Sequence, residues 1–237
     1  MANNSQQLPL AVSLDVEASF DNYYLPEHSP NLTALQTLFL MVQGQGELVS
    51  YLWGERDVGL SHLLQACSQL APSFNLQACY LSLAPGNPPL TGDLLDELAA
   101  ADLVCLDDVD QVAGDDALEQ EIFALFNCLR DRAARVIFAG HRSPAQLAFK
   151  LADLQSRILW GPVFQVHALS DEDKAKALQL QAHRLGLKLP EEAAGYIVNH
   201  SARNLGSLFE FLKLLDRESL AQQRRLTIPF IKQCLQA

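Results

Sequence analysis

A glycine-framed turn between an apolar strand and an apolar helix constrains the fold of this chain most. Residues 48–53 are an apolar run typical of a buried strand, and Gly54-Glu-Arg-Asp-Val-Gly59-Leu60-Ser61 follows directly. A phosphate-binding loop has this glycine spacing, then lysine for the outer phosphates and a hydroxyl that helps to hold Mg²⁺. Leu60 stands where the lysine belongs. The turn therefore predicts a phosphate cradle that lacks the charge a hydrolase uses in its transition state.

Composition excludes several classes of protein. The chain is 49% hydrophobic with a mean hydropathy of +0.04, as in globular proteins, and no apolar run reaches the roughly 20 residues of a membrane span. The first residues lack the charge and apolar core of a signal peptide, so we expect a cytoplasmic protein without membrane contact. Five scattered cysteines and six histidines without ligand spacing predict reduced thiols and no metal site built on histidine.

The net charge of −11 is unevenly distributed along the chain. Residues 1–169 carry 20 acidic and 7 basic side chains, whereas residues 170–237 carry 8 acidic and 10 basic ones. DNA-binding faces are basic because they neutralise phosphates. The acidic body therefore predicts protein partners and no direct sequence-specific binding of DNA.

Apolar runs and helical patterns alternate along the first two thirds of the chain, which predicts a parallel α/β sheet. The strand candidates are residues 48–53, 77–83, 103–106, 135–139 and 163–166. From Ser170 onward only helical patterns follow. We expect an extended N-terminal arm at residues 1–17, an α/β domain at 18–168 and a helical domain at 169–237.

Polar residues follow two of the predicted strands. Asp107 and Asp108 end a buried strand, 46 residues after Ser61, and His141 follows the strand at 135–139. At this edge of a parallel sheet, one acid can hold Mg²⁺, a second can orient water, and a polar side chain can sense an outer phosphate. The alternative is that the acids cap a strand and His141 lies in a surface loop. The spacing from the glycine turn favours a nucleotide site for the acids and leaves His141 undecided.

Arg157 lies in the segment Asp153-Leu-Gln-Ser-Arg157-Ile-Leu-Trp160-Gly161, at the end of a predicted helix. An arginine delivered to the phosphates of a neighbouring subunit stabilises transition-state charge and is worth roughly 10³–10⁵ in rate. The alternative is a surface arginine stacked on the Trp160 ring.

Two further candidates lie in the outer parts of the chain. Arg203 begins a helix of the second domain and could bend back to a nucleotide, or it is an exposed arginine at a helix end. Gln7-Leu8-Pro9-Leu10 could dock as an extended peptide, with Gln7 as the polar contact and Leu8 and Leu10 as apolar anchors. The alternative for these four residues is a tail without a partner.

In this order, the motifs resemble the AAA+ ATPase core of the DnaA family, from about residue 18 to the end. The resemblance implies an AAA+ P-loop NTPase core with a parallel sheet and a small all-helical lid. The implied nucleotide loop is Gly54, Arg56, Gly59, Leu60, Ser61 and His62, and Ser61 with Asp107 would hold Mg²⁺. Asp107 and Asp108 match Walker B, His141 the sensor I position, Arg157 the trans-acting arginine and Arg203 the sensor II arginine.

The resemblance is strongest to regulators of this family that lack the DNA-binding domain. Such regulators, bound to ADP and held on the DNA-loaded β sliding clamp of DNA polymerase III, stimulate hydrolysis of ATP bound to DnaA. The resemblance therefore implies a negative regulator of replication initiation with DnaA and the clamp as partners. Gln7, Leu8 and Leu10 match the clamp-binding motif of these regulators.

Three departures from the family pattern bear on the nucleotide site. Leu60 replaces the lysine or arginine, Asp57 adds an acid to the loop beside Arg56, and His141 stands where an acid is usual. We therefore expect no autonomous turnover. The rival interpretations are an autonomous NTPase or loader and a nucleotide-free adaptor on the clamp. A homodimer through the face that carries Arg157 is an open alternative.

Overall fold

The computed structural model describes residues 18–87, 89–201 and 204–235. Its strands are β1 (Val49–Trp53), β2 (Ala78–Ser82), β3 (Leu103–Asp107), β4 (Arg135–Gly140) and β5 (Val163–Gln165). Its helices are α1 (Leu32–Val42), α2 (Leu60–Leu70), α3 (Gly92–Ala100), α4 (Asp116–Asp131), α5 (Ala152–Ile158), α6 (Asp171–Arg184), α7 (Glu191–His200), α8 (Leu205–Gln222) and α9 (Ile228–Leu235).

The five strands form one parallel sheet in the order β2-β3-β4-β1-β5. The predicted α/β class with a parallel sheet is confirmed. Every residue of β3 is buried, as a continuous apolar run between two helical layers requires. Strand β4 lies between β1 and β3, so the residues that follow these three strands meet at one edge of the sheet.

The core of this α/β part lies between one face of the sheet and helices α3, α4 and α5. Alternate residues of the strands enter it, among them Val104, Leu106, Val136 and Phe138. Helix α4 contributes residues at helical spacing, Ile122, Leu125, Phe126 and Leu129. This packing places α4 and α5, which carries Arg157, against the sheet.

Contacts divide the chain into two compact units. The first holds Pro30–Gly54, Gly59–Val166 and the described residues up to Tyr23, and the second holds the chain from His167 with Tyr24–Ser29 and Glu55–Val58. Helices α6 to α9 of the second unit share an apolar core of their own. Within the described residues, no helix is both long enough and apolar enough to cross a membrane.

Candidate functional site

The glycine turn joins β1 to α2 and takes a backbone conformation that suits small residues. Gly59 has φ +94°, and a Cβ there would lie 3.0 Å from Cε2 of Tyr23. Asp57 also has positive φ, at 66°, a conformation that glycine adopts at least cost. The N–H groups of the first turn of α2 have no partners within the helix, so this end of α2 can receive an anion.

Leu60 is buried. It is the first residue of α2 and is 3% exposed, so its side chain packs inside the protein. Ser61, the next residue, is exposed. The position that carries the lysine in a phosphate-binding loop therefore contributes packing here and no charge.

Asp107 ends β3 and is 2% exposed. Its carboxylate accepts hydrogen bonds from the Tyr80 hydroxyl at 2.9 Å, the Asp108 N–H at 3.0 Å and the Ser61 hydroxyl. Burial raises the pKa of Asp107, while the hydrogen bond from Ser61 lowers it and the nearby Asp108 raises it further. A buried carboxylate beside a serine hydroxyl is the kind of oxygen donor set that suits Mg²⁺, so these residues fit the implied ion.

Replacing Asp107 by asparagine is expected to stabilise the protein when a metal chelator is present and nucleotide is absent. The variant should gain about 0.5–2 kcal/mol in the free energy of unfolding, the range of single stabilising changes at functional sites. The pKa of Asp107 is raised in the folded protein, so below the usual pKa of 3.8 the residue does not lower the free energy of unfolding. It lowers the free energy of unfolding as pH rises through the folded pKa. The advantage of the variant, measured by urea unfolding, is therefore absent in acid and increases as pH rises above the usual pKa of the carboxyl group.

Asp96→Asn provides the matched control, since Asp96 is exposed on α3 and loses the same charge. Its stability should follow the wild type at every pH. An Asp107→Asn variant that is less stable than wild type at neutral pH would contradict the assigned cost of burial.

Asp108 and His141 lie together at the edge of the sheet. Asp108 has a left-handed backbone, with φ 57°, and its carboxylate accepts a hydrogen bond from the Ser82 hydroxyl at 2.8 Å. His141 Nε2 is 3.6 Å from the other carboxylate oxygen of Asp108, and Nδ1 is 3.1 Å from the carbonyl oxygen of Gly54. His141 thus joins the start of the glycine turn to the second acid.

Asp110 is a buried acid that the sequence did not predict as a site residue, and it fixes the position of the His141 backbone by a hydrogen bond. Asp110 Oδ1 accepts the His141 N–H at 2.9 Å, and Asp110 Oδ2 is 3.8 Å from Arg142 Nε. A Cβ on Gly140 would lie 2.5 Å from Asp110 Oδ1, so any larger residue here would displace the Asp110 carboxylate. An acid three residues after Asp107 has no periodic signature, and only the adjacent acidic pair could have drawn attention to it.

Arg157 lies near the end of α5 and is stacked on an exposed aromatic ring. Its Cζ is 5.5 Å from the centre of the Trp160 ring, and Trp160 is 58% exposed. The Trp160 ring contacts Phe126 of α4, with ring centres 6.2 Å apart. Arg157 Nε is buried without a hydrogen-bond partner, and within the described residues no carboxylate forms an ion pair with this guanidinium. Trp160 therefore orients the arginine, and no ion pair among the described residues neutralises the charge of its guanidinium.

The segment after Trp160 is fixed to the sheet through backbone contacts. Pro162 O accepts the Tyr51 N–H at 3.1 Å and the Ser50 hydroxyl at 3.2 Å. A Cβ on Gly161 would lie 2.6 Å from the carbonyl carbon of Val49 and would overlap its oxygen. The glycine after Trp160 thus allows the chain to enter β5 directly against β1.

His62 of α2 contacts residues near the start of the described chain. His62 Nε2 is 2.9 Å from the carbonyl oxygen of Ser19, and the His62 ring lies 6.0 Å from that of Tyr23. Arg56 is exposed. Gln7, Leu8, Leu10 and Arg203 lie outside the described residues. The structure therefore brings Gly54, Ser61, Asp107, Asp108 and His141 to one edge of the sheet and places Arg157 on α5.

Comparison with known proteins places this geometry in a family. A model of the Hda lid domain matches residues 171–235, and a model of the bacterial DnaA ATPase domain matches residues 91–165. An uncharacterized protein of Haemophilus influenzae is 37% identical over 232 residues, which cover 98% of this chain and 99% of that protein.

Two solved structures share the fold. Domain III of the replication initiation protein DnaA from Thermotoga maritima has a TM-score of 0.79 at 18% identity, covering 95% of this chain and 98% of that one. AMPPCP-bound DnaA from Aquifex aeolicus has a TM-score of 0.70 at 23% identity, covering 85% of this chain and 66% of that one.

Proposed function

Since this chain is a DnaA-related AAA+ protein of the Hda-like type, we propose that it is a negative regulator of replication initiation. In this proposal it binds ADP, is held on the DNA-loaded sliding clamp and stimulates hydrolysis of ATP bound to DnaA. Arg157 supplies the missing positive charge to the active site of the partner.

The state of Arg157 carries the proposal. Its guanidinium is oriented by the exposed Trp160 ring and is not paired with an acid among the described residues. Arg157 is half-buried. A half-buried arginine with a purely structural role would normally be paired with an acid, because pairing neutralises a charge that has been partly removed from water. An oriented and unpaired arginine beside an exposed aromatic ring supports delivery to a partner's phosphates.

The chain's own nucleotide site supports binding more than turnover. The first turn of α2 and the glycine turn offer N–H donors to a diphosphate, and Ser61 and Asp107 would hold Mg²⁺, which supplies charge neutralisation when bound. The position next to Ser61 carries the buried Leu60 in place of a cation. His141 contacts Gly54 and Asp108, so occupancy of the site would be communicated to the end of β4. We propose that ADP sets the conformation of the regulator without being a substrate.

Replacing Gln7 and Leu8 together by alanine removes binding to the clamp. An extended peptide depends on a few anchors, and two lost anchors should weaken binding by at least about 100-fold. Surface plasmon resonance with immobilised clamp measures this loss. Asn3→Ala with Asn4→Ala is the matched control in the same arm and should bind like wild type. Unchanged affinity of the Gln7/Leu8 variant would remove the arm from the proposal.

Hydrolysis of ATP pre-bound to DnaA tests the function as a whole. The assay compares clamp-loaded DNA with and without this protein, in ADP, and then repeats the comparison without the clamp. Acceleration that requires both this protein and the clamp is the expected result. If this folded protein leaves the rate at its basal value under all conditions, the regulatory proposal is wrong.

A further inference from the structure

Glu119 is a buried acid without a cationic partner among the described residues. It lies in the first turn of α4 and is 1% exposed. Its carboxylate instead accepts three backbone hydrogen bonds, from Gly114 N–H to Oε1 at 2.7 Å, Lys150 N–H to Oε1 at 3.2 Å and Leu151 N–H to Oε2 at 2.7 Å. Both oxygens are therefore committed, and burial of the charge is offset by three directed donors.

The three donors come from two separate loops. Gly114 ends the loop that follows Asp107 and Asp108, and it has φ +96°. Lys150 and Leu151 immediately precede α5, and the side chain at the N-cap, Leu151, cannot itself cap the helix. Glu119 thus holds, from α4, the two residues that lead into α5 and ties them to the loop after the acidic pair.

A second contact from α4 is made to Trp160, two residues after the end of α5. Phe126, seven residues after Glu119, lies on the same face of α4, about 10 Å further along its axis. Its ring contacts Trp160, on which Arg157 stacks. Between these two contacts, Leu154 and Ile158 of α5 are fully buried in the core. One helix therefore determines where α5 begins and where the aromatic platform behind Arg157 lies.

We propose that Glu119 is a positioning residue for Arg157. By holding the N–H groups of Lys150 and Leu151, it sets the start of α5, and hence the reach of the guanidinium toward a partner. The inference rests on the proposed function for its catalytic meaning, but the placement of α5 can be measured on this protein alone.

Glu119→Gln is the sharpest test because it keeps the size of the side chain. Whichever way the amide is turned, its NH₂ faces at least one backbone N–H, so at least one of the three hydrogen bonds is lost. Asp116→Asn is the matched control, because Asp116 pairs with Lys150 Nζ at 2.8 Å at the exposed surface of the same junction. Both variants remove one negative charge from the start of α4.

Two measured quantities, the stimulated hydrolysis rate and the fluorescence anisotropy of Trp160, are expected to fall in Glu119→Gln. Both should stay at the wild-type value in Asp116→Asn. In DnaA hydrolysis on the loaded clamp, the maximal stimulated rate should fall about 10- to 100-fold, the cost of misplacing a catalytic group by about 1 Å. The concentration of regulator at half-maximal rate should stay the same, since Glu119 does not form the contact with the partner. In a Trp53→Phe background, where Trp160 is the one tryptophan, the fluorescence anisotropy of Trp160 should fall.

The outcomes separate this inference from the proposed function. Wild-type rate and wild-type anisotropy in Glu119→Gln would overturn the positioning role. If wild-type protein itself does not stimulate DnaA, the proposed function fails, and the anisotropy alone decides whether Glu119 places α5. Should Glu119→Gln not fold, Glu119→Asp replaces it, because the shorter carboxylate cannot reach both loops and the same two readouts apply. Ile122→Val, a milder core change on the same helix, controls for lost stability and should leave the anisotropy unchanged.

Discussion

Replacing Arg157 by alanine is expected to lower the stimulated rate of DnaA-bound ATP hydrolysis by about 10³-fold or more, the contribution of one arginine to phosphoryl transfer. The loss should be in rate and not in folding. Among the described residues Arg157 Nε has no hydrogen-bond partner to lose, and the stack on Trp160 is worth only about 0.5–1 kcal/mol at an exposed site. Single-turnover hydrolysis on clamp-loaded DNA, together with thermal unfolding of the variant, measures both quantities.

Two further variants sharpen this experiment. Arg157→Lys keeps the charge but loses the planar fork of donors, so it should recover little of the rate. Arg130→Ala removes an arginine of α4 whose guanidinium is already bonded to Asp131, at 2.7 Å, and should stimulate like wild type. If Arg157→Ala stimulated DnaA as well as wild type, the trans-acting role of this residue would be refuted.

Replacing Gly161 by alanine is expected to cause the largest loss of stability from a single methyl group. The added Cβ would overlap the carbonyl oxygen of Val49, and backbone on both sides would have to separate. Overpacking of this severity costs about 3 kcal/mol or more. In a chain of this length that corresponds to a Tm lower by about 6–12 °C. Differential scanning calorimetry provides the measurement.

Gly92→Ala is the matched control for this substitution. Gly92 belongs to the same unit, begins α3 and has nothing within 4 Å of a built Cβ. Its Tm should stay the same or rise slightly, because alanine loses less backbone entropy in a helix than glycine does. A Gly161→Ala protein as stable as Gly92→Ala would show that the chain can relax away from Val49 at little cost.

The sheet was predictable because its strands carry strong local signals. Apolar runs ended by polar residues marked β3 and β4, and the structure ends them at Asp107 and Gly140. The edge where Asp107, Asp108 and His141 meet followed from the parallel topology. These predictions needed only the spacing of apolar residues, the length of the apolar runs and the parallel direction of the strands.

Residues whose role depends on distant backbone could not be predicted. Glu119 reads as an ordinary acid in the first turn of a helix, and only the folded chain brings Lys150 and Leu151 to it. Asp110 likewise acquires its meaning from Gly140 and His141, some thirty residues later. Such contacts are set by how loops cross, and no local pattern encodes a crossing.

The burial of Leu60 limits how readily a cation could be introduced at this position of the glycine turn. A lysine introduced at this position would either carry an ammonium group out of water or turn outward and leave a gap where the leucine had packed. A functional cation here would thus require compensating changes in the neighbouring residues as well. A single Leu60→Lys substitution is therefore expected to lower the stability of the protein before it can supply a cation to a bound phosphate.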